Sequence, residues 1–81
     1  MRITVRFFAI LKDRAGTDQT LLDLTPGSTV DDAVQSIKGC YPNVAKDLSR
    51  TAFAVNRNYV KPQSVLKDGD ELALIPPVSG G

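Results

Sequence analysis

Thr29-Val30-Asp31-Asp32-Ala33-Val34-Gln35-Ser36-Ile37 is the stretch on which the fold turns. Val30, Ala33, Val34 and Ile37 stand at i, i+3, i+4 and i+7, which puts all four on one stripe of an α-helix. Thr29 sits before the stripe as an N-cap, Asp32 lies three residues on to complete a capping box, and Asp31 adds negative charge at the positive end of the helix dipole. Gly39 is expected to supply a left-handed stop, and Pro42 prevents the helix from resuming. The chain offers this helix no strong second helix to bury its stripe against, so it must lie on a sheet.

The flanking segments supply that sheet. From Arg2 to Phe8 the residues alternate, with Ile3, Val5 and Phe7 on one side and Arg2, Thr4, Arg6 and Phe8 on the other. Ala9 to Arg14 has room for about one and a half helical turns, broken by Ala15-Gly16-Thr17-Asp18. Gln19 to Leu24 forms a second strand, Leu22 and Leu24 facing one way and Leu21 the other, before a Thr25-Pro26-Gly27-Ser28 turn. Val44 to Arg50 is compatible with a helical turn. Thr51 to Asn56 is a strand with Phe53 and Val55 inward, Asn56-Arg57-Asn58 a turn, and Tyr59-Val60 a short return. Leu66 to Asp70 is a turn with Gly69 suited to positive φ. Glu71 to Ile75 closes the sheet, Leu72 and Leu74 inward and Ala73 and Ile75 outward.

This order implies an α+β domain: a mixed sheet of four or five strands wrapped round one main helix. The first and last strands are expected to be central, parallel neighbours, with the intervening chain as their crossover. Phe7, Phe53, Leu72 and Leu74 belong to the core. One face of the sheet stays open and should carry Phe8, Tyr59 and Ile75 among Arg6, Thr4 and small residues. Aromatics on such a face are typical partner anchors.

Composition narrows the function. The 81 residues make one domain, divided here into a folded body over residues 1–75 and a flexible tail over residues 76–81. Ten Lys and Arg against nine Asp and Glu leave a net charge of +1, far from the basic footprint of a nucleic-acid binder. No apolar run approaches the ~20 residues of a membrane span. Met1-Arg2-Ile3-Thr4-Val5 reads as a strand rather than a signal peptide, so a cytoplasmic location away from membranes is expected. Cys40 is the only cysteine and histidine is absent, which excludes an internal disulfide, a cysteine zinc site and a histidine base. At a helix end Cys40 reads as a packed small apolar residue rather than a persulfide carrier. Asp68-Gly69-Asp70-Glu71 lacks calcium-loop spacing and reads as a turn. An enzyme acting alone is hard to build from this inventory.

The sequence ends Pro76-Pro77-Val78-Ser79-Gly80-Gly81. Two stiff prolines lead into two residues without side chains, a thread that a narrow channel in another protein could admit. Six residues reach at most ~20 Å at about 3.3 Å each. By itself this is equally a frayed end.

Phe7-Phe8-Ala9, Val55-Asn56-x-x-Tyr59-Val60, Gly69-Asp70-Glu71-Leu72-Ala73 and the Pro76 to Gly81 ending together resemble, over the whole chain, the small sulfur-carrying subunits of molybdopterin synthase, ubiquitin-like β-grasp proteins. The GDE and PPVSGG segments carry the specific part of the match. The resemblance implies a carrier without catalytic groups or bound cofactors of its own. An E1-like adenylating enzyme uses ATP to activate the Gly81 carboxylate, and a persulfide donor converts it to a thiocarboxylate. The tail, Gly80 included, then enters the large synthase subunit and gives its sulfur to cyclic pyranopterin monophosphate on the way to molybdenum cofactor. It also implies a heterotetramer in which Phe8, Tyr59, Ile75, Pro76, Pro77, Val78 and Ser79 meet the partner. Three alternatives stand beside it: a related carrier for thiamine or another sulfur pathway, a ubiquitin-like modifier conjugated through Gly81, and an interaction module whose tail is incidental.

Overall fold

The computed structural model describes residues 1–77. In it the elements follow the order β1 (Arg2–Phe7), α1 (Ile10–Ala15), β2 (Gln19–Asp23), α2 (Val30–Cys40), a 3-10 turn (Pro42–Val44), α3 (Ala45–Leu48), β3 (Ala52–Val55), β4 (Asn58–Val60) and β5 (Glu71–Ile75). The strands form one sheet in the order β2-β1-β5-β3-β4. β1 and β5 run parallel with Val5 beside Leu72 and Phe7 beside Leu74, and the other pairings are antiparallel. This is the expected mixed, five-stranded β-grasp sheet curled round one main helix.

The core lies between α2 and the inward face of the sheet. Ile3, Val5, Phe7, Leu72 and Leu74 from the strands meet Val30, Ala33, Val34 and Ile37 of α2, and all are buried. Leu11, Val44 and Leu48 close the end of this layer. The ambiguous stretch before β3 is therefore a core element, built on the spacing of two apolar residues in a tight turn. Tyr41 covers Phe7 edge-on, the rings 5.3 Å apart. Phe53, expected in the core, is only half-buried and packs against its margin, because β3 lies beyond the reach of α2 near the sheet's edge.

The start of α2 carries the full capping box. The Asp32 N–H donates to Thr29 Oγ1 at 3.2 Å, and the Thr29 N–H donates to Asp32 Oδ2 at 2.9 Å. The loop before β5 crosses this end, so the N–H groups of Val30 and Asp31 donate to the carbonyls of Ser64 and Pro62, both at 2.9 Å. Two donors that every helix leaves unpaired are thereby satisfied by tertiary structure. Asp68 and Asp70 serve the same loop: Asp68 Oδ1 accepts from the Arg2 N–H at 2.7 Å and Asp70 Oδ2 from the Lys67 N–H at 2.8 Å. Their carboxylates hold backbone, as a turn requires. Gly69 has the positive φ foreseen for it, 85°.

The far end of α2 corrects one expectation. Gly39 is not a left-handed stop; it lies within the helix, which continues to Cys40. Tyr41, at φ −131° and ψ 71°, leaves the helical conformation, and its N–H still reaches the Ile37 carbonyl at 2.7 Å. The stop belongs to Pro42, which bars the helical conformation at the residue before it. Gly39 is exposed and a Cβ built there meets nothing within 4 Å. Gly39→Ala is therefore expected to stabilise the fold by about 0.5 kcal/mol through helix propensity, measured by urea unfolding. A left-handed glycine would give the opposite sign.

Candidate functional site

Strand pairing builds the open face row by row. Arg6 pairs with Ala73, Ala73 with Ala54 and Ala54 with Tyr59, so two alanines lie between an arginine and a tyrosine. In the next row Ile75 pairs with Ala52. Phe8 follows the Phe7–Leu74 pair and so emerges beside Ile75. The result is a hollow of about 410 Å³, lined by Arg6, Phe8, Ala54, Arg57, Tyr59, Glu71, Ala73 and Ile75. Ala54 is buried although it faces outward, because its larger neighbours overhang it. All three apolar residues expected on the open face share this one hollow.

A second hollow of about 650 Å³ adjoins the first, lined by Phe8, Ala9, Ile10, Asp47, Arg50, Ile75, Pro76 and Pro77. Phe8 and Ile75 line both, which makes them a ridge between two depressions. Phe8 is 38% exposed, Ile10 42% and Tyr59 74%. Fully burying a side chain of this size contributes roughly 1.5–3 kcal/mol. Covering the part still exposed therefore contributes about 0.5–1 kcal/mol at Phe8 or Ile10 and about 1–2 kcal/mol at Tyr59, whereas an exposed ion pair contributes about 0.2–1 kcal/mol. Together the ridge and Tyr59 therefore dominate what this surface can offer a partner.

Two backbone conformations hold the ridge in place. Ala9 adopts φ 51° and ψ −126°, the first central position of a type II′ turn closed by the Leu11 N–H donating to the Phe8 carbonyl at 3.0 Å. Glycine is the residue preferred there. The turn sends Phe8 and Ile10 outward on either side while Leu11 enters the core. At the β3–β4 hairpin, Asn56 and Arg57 both have positive φ, 50° and 73°, as a type I′ turn requires. Asn56 Oδ1 accepts from the Glu71 N–H at 3.0 Å and Asn56 Nδ2 donates to Asp70 Oδ1 at 2.9 Å, so the hairpin bearing Tyr59 is tied to the start of β5.

Arg6 supports Phe8 from the side. Its guanidinium carbon lies 5.3 Å from the Phe8 ring centroid, a cation–π stack that limits the ring's freedom. Arg6 Nη1 stands 3.8 Å from Glu71 Oε1, a loose pair. Asp47 in the second hollow is engaged by Arg14 Nε at 3.2 Å. No acid, base or nucleophile is set up here, and among the described residues no group of three or more Asp, Glu or Cys side chains is placed to hold a metal. Among the described residues no helix is long and apolar enough to cross a membrane.

Other sequence expectations fall out unevenly. Pro77 is exposed, but Pro76 is buried. Val78, Ser79, Gly80 and Gly81 lie outside the described residues. Cys40, expected to be packed, is exposed at the last residue of α2, because the apolar stripe faces away from that position. Ile10, Arg50 and Asp47 were missed; Ile10 shows no sign of exposure in its composition, since it neighbours the buried Leu11 in a helix too short to display a period.

Fold and site define a small β-grasp module that offers a partner an apolar ridge beside the point where its last strand ends. The sequence profile described as the ThiS family matches residues 5–81. The molybdopterin synthase sulfur carrier subunit of Chlamydomonas reinhardtii is 39% identical, with 100% of each chain covered. The crystal structure of SAMP1 from Haloferax volcanii superposes with a TM-score of 0.93 at 28% identity, covering 100% of each chain. Subunit 1 or 2 in the molybdopterin-converting factor complex of Helicobacter pylori 26695 matches with a TM-score of 0.72 at 26% identity, also over 100% of each chain. This chain belongs to the ThiS family.

The strained turn gives a direct check. Ala9→Val should destabilise the domain by about 1–3 kcal/mol, because a β-branched residue tolerates this backbone poorly. Ala9→Gly should instead stabilise it, by about 0.5–1 kcal/mol, by relieving the strain. Paired urea titrations read both.

Proposed function

We propose that this chain is the sulfur carrier subunit of molybdopterin synthase. The observation that carries this reading is the ridge of Phe8 and Ile75 standing directly where β5 gives way to Pro76 and Pro77. A partner gripping that ridge also meets the point where the chain leaves β5 through Pro76 and Pro77. The curated relative is named for that role and covers the chain from end to end, and the Helicobacter pylori structure is a complex of two subunits of molybdopterin-converting factor. Both support a large subunit as the partner; on this reading it docks at the open face, in a heterotetrameric synthase of the cytoplasm.

The chemistry follows from what the body lacks. A free carboxylate is a poor electrophile, so an E1-like enzyme spends ATP to join the Gly81 carboxylate to AMP as a mixed anhydride. A persulfide sulfur attacks the acyl carbon and AMP leaves; a second thiol then attacks the donor-side sulfur of the resulting acyl disulfide, forming a disulfide with the donor and releasing the thiocarboxylate on Gly81. The thiocarboxylate sulfur is nucleophilic without help from a side chain, and the large subunit supplies the groups that guide it onto cyclic pyranopterin monophosphate. Gly80 and Gly81 present no side chain to the channel that admits them. The carrier itself needs no cofactor.

A second reading has a specific observation in its favour: SAMP1, which superposes so closely, is a small archaeal modifier protein. A modifier would use the same activated terminus to acylate lysines.

Co-expression with the activating enzyme followed by intact mass measurement tests the first step, the expected change being exchange of one oxygen for sulfur. Gly81→Ala should abolish sulfur transfer to the large subunit while leaving its affinity within about twofold, since the ridge lies on the body; unchanged turnover would refute the role of the terminus. High-mass lysine conjugates lost on deleting Gly81 would establish the modifier reading instead.

A further inference from the structure

The charges around the ridge are unbalanced. The first hollow holds Arg6 and Arg57 against Glu71 alone. The second holds Arg50 against Asp47, and Arg14 already engages that aspartate. Among the described residues neither Arg57 nor Arg50 has a carboxylate within salt-bridge distance. The first hollow therefore keeps one positive charge in excess, and in the second Arg50 is left unpaired because Asp47 is held by Arg14, on a chain whose total is only +1. Unpaired positive charge thus flanks the apolar ridge on both sides.

Arg57 carries a second sign of use. It occupies the second central position of the β3–β4 turn at φ 73°, where glycine is the favoured residue and a long side chain is strained. The fold alone would be better served by glycine. What arginine adds is a guanidinium beside Tyr59 at the rim of the first hollow.

Resting on the docking face proposed above, we infer that the partner's surface presents two carboxylates, one meeting Arg57 and one meeting Arg50, on either side of an apolar contact that covers Phe8 and Ile75. The ridge supplies most of the affinity. The flanking arginines orient the carrier so that its last strand points into the partner, and they speed encounter, as rim charges do. Arg6, stacked on Phe8 and shared with Glu71, is less free to contribute.

The test measures association of the full chain with the purified large subunit of molybdopterin synthase from the same organism. Arg57→Gly should raise the midpoint of thermal unfolding by roughly 2–5 °C. The same change should slow association about 3–10-fold at low ionic strength. Arg57→Glu and Arg50→Glu should each slow it further, and these differences should shrink as salt rises to roughly 0.5 M. Lys38→Glu, which makes the same change in net charge on exposed α2, should alter the rate less than about twofold. The inference is overturned if Lys38→Glu acts like Arg57→Glu, if the arginine effects ignore salt, or if Arg57→Gly associates like wild type. Tyr59→Asp separates the two levels. If it abolishes binding while the arginine variants bind normally, the docking face stands and the carboxylates are refuted. If it binds like wild type, the docking face itself is wrong.

Discussion

Phe7 and Leu74 stand side by side in a parallel ladder, and through that pairing the first strand of the chain is joined to the last. A parallel neighbour cannot be reached by a tight turn, so everything between must act as crossover, α2 included. The helix is long enough to cover the middle of the sheet and no more. One face of the sheet is sealed by Val30, Ala33, Val34 and Ile37, and among the described residues no element covers the other. An exposed ridge at the end of β5 is thus a consequence of the topology.

The uncovered face is shaped by what is small as much as by what is large. Ala54 and Ala73 form a floor because they lack bulk, and Phe8, Tyr59, Ile75 and Arg6 become walls by contrast. A longer side chain at either alanine would fill the hollow from below. Turns outside the sheet complete the shape, and both do so with residues other than glycine at positive φ: Ala9 beside the ridge, Asn56 and Arg57 beside Tyr59. Local strain concentrates on the side that faces outward, while the sealed side is built from ordinary strand and helix geometry. That distribution fits a body whose stability and whose recognition are assigned to opposite faces of one sheet.

Period and pairing made most of this legible in the sequence. The stripe on α2, the alternation in β1 and β5 and the outward placement of Phe8, Tyr59 and Ile75 each follow from a spacing that only one geometry satisfies. The capping box followed from two residue types three positions apart. Legibility failed where the decisive contacts join distant segments. Gly39 resembles a helix stop until Pro42 is seen to act through Tyr41. Phe53 resembles a core residue until β3 is placed toward the edge. Cys40 resembles a packed residue until the stripe is rotated past it. The charge imbalance around the ridge was equally hidden, since Arg50 and Arg57 meet the same surface only after folding.

The ridge is a conjunction. Phe8 comes from the beginning of the sequence and Ile75 from near its end, and neither makes the feature alone. A misfolded or truncated copy can present one half but not both in register. Any protein that grips the two together is therefore inspecting the integrity of the fold in the act of binding it.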